Sequence, residues 1–161
     1  MENNIFDFGK SELTHDAIIS WIINGFNYPD TAKDFFDFSK KFIKSIAKDI
    51  DLEQYNKVEI KNQFSIKLPA VEDKCDNTTI AKNKFGKIDI LAIFTDKGNN
   101  IRYCLIIEDK VFSGENGNQF KTYIKAFNDI QDYKIANKKY VNIVLGNYPN
   151  YLTEHVINEG W

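Results

Sequence analysis

The sequence predicts an α/β fold, of the α+β kind, in which one mixed sheet carries helices on both faces. Three observations predict it. Residues 11 to 48 hold two segments whose apolar residues recur at helical spacing. The middle of the chain changes to strand patterns, first alternating and then almost continuously apolar. A third helical segment then precedes a fourth apolar run. The resulting order is helix, helix, strand, strand, strand, helix, strand. Short connections make the first three strands an antiparallel meander. The helix before the last strand makes a crossover, so that strand is expected to lie parallel to its neighbour.

The elements follow in order. Ser11 suits an N-cap and Glu12 the first turn of a helix. Leu13, Ala17, Ile18, Trp21, Ile22 and Phe26 give that helix a wide apolar face, and Gly25 and Pro29 bracket its end. A second helix is expected from Thr31 to about Lys48, with Phe35, Phe38, Phe42 and Ile46 as its apolar stripe. Val58, Ile60, Phe64, Ile66 and Leu68 alternate with polar residues as one half-buried strand, with Asn62 the one polar residue in the apolar register. The polar stretch from Pro69 to Asn83 has no periodicity and reads as a long loop or a hairpin tip. Phe85 to Thr95 is apolar enough for a central strand. Asp96 to Asn100 has the composition of a hairpin turn. Ile101 to Val111 is the third strand. A helix over 116–130 carries Phe120, Tyr123, Ile124 and Phe127, and Tyr140 to Leu145 forms the fourth strand. Tyr151 to Glu159 has the pattern of a short terminal helix.

A chain of 161 residues fits one domain, spanning 1–161, and can bury a core without disulfides. The formal charge of -2 is not the signature of nucleic-acid binding by bulk electrostatics, although a cation held by carboxylates would attract phosphate locally. The lysine clusters at Lys40, Lys41, Lys44 and Lys48 and at Lys82, Lys84 and Lys87 read most simply as solvated surface. Cys75 and Cys104 have no zinc-type spacing. The N-terminus lacks a basic region followed by an apolar stretch, and no apolar run is long enough for a membrane span. A reducing, cytoplasmic location without membrane contact is therefore expected.

Two charged interruptions stand out on adjacent strands. Asp89 breaks the run Ile88-Asp89-Ile90-Leu91, and Glu108-Asp109-Lys110 breaks the run from Leu105 to Phe112. Charge inside an apolar strand is costly unless it is paired or holds a metal. Strand alternation puts Glu108 and Lys110 on one face and Asp109 on the other. A hairpin centred near Gly98 brings Asp89 opposite residue 107 or 108, so one residue of register decides whether the two acids share a face. If they do, two carboxylates and an ammonium converge in a set suited to Mg²⁺ or Mn²⁺ and a phosphate. The competing explanation is a buried ion pair, which rarely brings this much charge into an interior.

Gly86-Lys87-Ile88-Asp89-Ile90-Leu91 followed by Ile106-Ile107-Glu108-Asp109-Lys110-Val111 resembles the PD-(D/E)xK nuclease superfamily. Downstream, Gln119 and Tyr123 resemble the Gln-x-x-x-Tyr element of its RecB-like branch. Upstream, Glu12 and His15 resemble the Glu-x-x-His opening the first helix of a bacterial subgroup. The resemblance covers about residues 11 to 146 and implies a restriction-endonuclease-like core, helix-strand-strand-strand-helix-strand. It implies catalytic roles for Asp89, Glu108, Lys110, Gln119 and Tyr123, and metal binding by Asp89, Glu108 and Glu12. His15 is the weakest of the candidates, since a satisfied core or surface histidine is commoner. The expected function is Mg²⁺- or Mn²⁺-dependent hydrolysis of phosphodiester bonds, with DNA as substrate, in phage defence, restriction or repair. A homodimer or a partner protein is compatible with it. The alternative is a catalytically silent nucleic-acid-binding or protein-interaction module on the same fold. Retention of the Asp, Glu and Lys together favours the enzyme.

Overall fold

The computed structural model describes residues 12–75, 78–111 and 117–145. It contains helix α1 (Glu12–Asn24), a 3-10 turn (Gly25–Asn27), helix α2 (Lys33–Ile46), strands β1 (Lys57–Cys75), β2 (Thr78–Thr95) and β3 (Ile101–Val111), helix α3 (Gly117–Asn128) and strand β4 (Asn137–Leu145). The sheet order is β1-β2-β3-β4. The first two pairings are antiparallel, and β3–β4, bridged by α3, is parallel, as a helical crossover demands. The expected terminal helix over 151–159 lies outside the described residues.

Each face of the sheet has its own core. On one, Ile19, Ile23, Phe26 and Ile43 of the first two helices and their turn pack on Val58, Ile90, Ala92, Phe94, Leu105 and Ile107. On the other, Ala126 and Phe127 of α3 pack on Ile66, Leu68, Ile88, Leu91, Ile93 and Ile106. The continuously apolar β2 is thus covered on both faces, as its composition predicts.

Three expectations need correction. Of the two readings of Pro69 to Asn83, the hairpin holds and the long loop does not. β1 runs to Cys75 and pairs with β2 from Thr78, with a register slip between Leu68 and Val71. Backbone ladder bonds require no apolar alternation, so a polar sequence conceals the ribbon. On α1 the buried stripe is His15, Asp16, Ile19, Ser20 and Ile23, whereas Leu13 and Trp21 are 64% and 60% exposed. One polar group of this stripe is satisfied across the interface, where the Ser20 hydroxyl donates to Asn62 Oδ1 at 2.7 Å. On α2, Phe38 is exposed, while Ser39 and Ile43 are buried and Phe36, Phe42 and Ile46 pack beside them.

The alternation of β1 also conceals a change of face. Val58 and Ile60 belong with the α1–α2 core, but Phe64, Ile66 and Leu68 belong with the α3 core. All five have even numbers, so a regular strand would turn them to one side. The half-turn lies between Ile60 and Phe64, where Gln63 has φ 52. Opposite it, Ile90 and Ile88 of β2 divide between the two cores in the same way.

Candidate active site

The β2–β3 ladder begins beside the turn and ends at Ile90↔Ile107. Beyond that pair β2 continues with β1 alone, while β3 continues with β4 from Glu108↔Asn142 to Val111↔Leu145. The sheet forks there. Asp89 and Glu108 are the first residues past the last pair, one on each prong, so the register sets Asp89 level with Glu108 rather than with Ile107. The apolar pairs on either side of β2 hold this register, because a slip by one residue would move each side chain from the core it fits into the opposite one.

Glu108 is 6% exposed, and Asp89 is half-buried. A carboxylate this deep needs donors or a cation to remain charged. Position 110 lies two residues further along β3 and pairs with Val144 of β4. Glu12 opens α1, and Gln119 lies in the first turn of α3.

Tyr123 reaches the site region from α3. A Cβ built on Gly86 would stand 2.5 Å from its ring and 3.1 Å from its hydroxyl oxygen. The missing side chain at Gly86 therefore lets the ring lie directly on β2, three residues before Asp89.

His15 is 3% exposed on the inward face of α1, next to Asp16 at 2%. Asp16 and Gln63 are functional candidates that the sequence reading missed. The Gln63 side-chain nitrogen donates to Asp16 Oδ2 and to Asp89 Oδ1, each at 3.2 Å. Both left traces in the sequence. Asp16 stands three, seven and ten residues before Ile19, Ile23 and Phe26, a charge in the buried stripe. Asn62-Gln63 is the one interruption of the β1 alternation.

The element order, mixed topology and helices on both faces are those of a restriction-endonuclease-like core. The sequence pattern of the PD-(D/E)XK nuclease superfamily matches residues 3–158, and the chain belongs to that superfamily. The family's members hydrolyse nucleic acid and generally use divalent metal ions. No curated protein and no solved structure matches the chain. Among the described residues, no helix is long and apolar enough to cross a membrane.

Proposed function

We propose that this chain, as one nuclease domain over 1–161, hydrolyses phosphodiester bonds in DNA with Mg²⁺ or Mn²⁺ held by Asp89 and Glu108. The observation that carries the reading is the fork, with two carboxylates level with each other where the strands part. Oxygen donors alone suit a hard divalent cation. Among the described residues no group of three or more His, Cys, Asp or Glu could hold a metal ion by itself. Two carboxylates leave coordination positions for phosphate oxygens and water, as a nuclease requires. When bound, the cation polarises the phosphate and makes an attacking water easier to deprotonate.

Each residue then has a task. Asp89 and Glu108 hold the cation, and Glu12 adds a carboxylate from the first turn of α1. Lys110 orients the attacking water or offsets charge developing on the phosphorane. Gln119 and Tyr123, four apart on α3, share a helix face and position the water or a substrate phosphate. The family's work in restriction, repair and phage defence, in the cytoplasm, is the setting we assign.

The test is incubation of the pure protein with plasmid and linear DNA in Mg²⁺, in Mn²⁺ and in EDTA, beside calorimetric titration with Mn²⁺. Cleavage in either metal and none in EDTA is expected, with Mn²⁺ binding lost in Asp89→Ala. Equal binding by wild type and Asp89→Ala would remove Asp89 from the site.

A further inference from the structure

We propose that Gln63 is the positioning residue for Asp89 and that the left-handed backbone at Gln63 serves that contact. Gln63 lies directly across from Asp89, between the pairs Asn62↔Ile90 and Phe64↔Ile88. At φ 52 it is one of two non-glycine residues with positive φ among those described, and the other lies in a turn. A long side chain gains nothing locally from this conformation, so long-range contacts must hold it.

The contacts are with two acids. An amide nitrogen carries two protons, enough to give one to each carboxylate. It donates to Asp89 Oδ1 on β2 and to Asp16 Oδ2 on α1. Asp16 is 2% exposed, so the second contact is anchored in the core. The bridge ties the half-buried Asp89 to a fixed point. Glutamine suits the task because it is neutral. It lets two carboxylates lie close together without adding a positive charge that would compete with a cation. Its backbone also makes the half-turn that moves the apolar side chains of β1 from one core to the other. One residue thus shapes the strand and aims the acid.

The inference rests on the metal-ligand reading of Asp89 for only one of its two measurements. The first follows the Gln63 side-chain amide by NMR, assigned by its loss in Gln63→Glu. The resonances should shift in Asp89→Asn and in Asp16→Asn. Unchanged resonances in Asp89→Asn would overturn the proposal. The second uses Gln63→Gly, which accepts the left-handed backbone and removes the side chain that carries the amide. It should stay folded, because relief of the left-handed strain offsets part of the cost of depriving buried Asp16 of a donor, yet bind Mn²⁺ about tenfold more weakly, as expected on loss of a group that orients a ligand. Wild-type Mn²⁺ affinity in this variant would also overturn it. If the wild-type protein binds no Mn²⁺, the metal reading fails, and the amide resonances still decide the role of Gln63. They decide it too if Gln63→Gly does not fold.

Discussion

Asn99 and Gln63 share a backbone conformation and differ in everything that produces it. Asn99 (φ 59) lies in the turn between β2 and β3. There Asp96 Oδ1 accepts from the backbone N–H groups of Gly98 at 2.8 Å and Asn100 at 2.9 Å, and Asp96 Oδ2 accepts from Arg102 Nε at 2.9 Å. The Arg102 guanidinium and these N–H donors hold the Asp96 carboxyl well below its ordinary range. Asparagine enters the left-handed region readily, and the turn is built from residues within reach of one another in sequence. Gln63 lies inside a strand and is held by acids from α1 and β2, 47 and 26 residues away. A non-glycine residue in such a conformation costs on the order of 1–3 kcal/mol unless its surroundings over-determine it. The turn end of the β2–β3 ladder uses the conformation to reverse the chain. The forked end uses it to place charge.

Lys110→Ala, at the forked end, should give the largest effect. As a transition-state group, Lys110 should cost on the order of a hundredfold or more in cleavage rate when removed, with DNA binding in Ca²⁺ nearly intact. As a structural partner of the buried Glu108, it would instead cost roughly 3 kcal/mol or more of stability, and binding would fail with the fold. Cleavage assays and thermal melts on one preparation separate the two. A folded variant cutting at the wild-type rate would end the catalytic assignment.

The turn end was legible because its causes are local. Asp96 to Asn100 carries turn residues, and the runs on either side are apolar enough to fix strands β2 and β3. The placing of Asp89 level with Glu108 was legible to within one residue, and the cores on both faces supply the rest. What escaped has its causes far away in sequence. Glutamine does not prefer positive φ, so the contact between Gln63 and Asp16 left only a break in alternation. The inward stripe of α1 was misread because Leu13, Ala17, Trp21 and their neighbours offer a more apolar face, and the helix turns inward the stripe that carries Asp16 and Ser20. Sequence periodicity reports where apolar residues lie, but this helix turns polar ones inside as well.

Gly86→Ala should have a smaller effect and tests how closely α3 approaches the forked end. The new methyl would stand 2.5 Å from the Tyr123 ring, so the ring or the helix must move. Overpacking of this kind costs about 1–3 kcal/mol. Adding Tyr123→Ala should recover part of the loss, because the two substitutions share one contact. Denaturant midpoints of the two single variants and the double variant measure the coupling. Strict additivity would mean that the ring does not rest on Gly86.

Asn99→Gly should have the smallest effect. Glycine adopts φ near 59 without strain, which favours the variant, and it loses more freedom on folding, which opposes it. Asn99 side-chain contacts do not enter the turn network, which runs through Asp96, Gly98, Asn100 and Arg102. The two terms should nearly cancel, leaving stability within about 0.5 kcal/mol of wild type and cleavage unchanged. Gln63→Gly is the matched experiment, since it replaces the other left-handed residue in the same way. It should stay folded but, unlike Asn99→Gly, takes a donor away from buried Asp16, and its Mn²⁺ affinity should fall. A destabilisation of more than about 1 kcal/mol in Asn99→Gly would mean that the turn depends on the asparagine itself. A loss of Mn²⁺ affinity in Asn99→Gly would mean that the metal site responds to either end of the ladder, and the division between a turn residue and a positioning residue would fall.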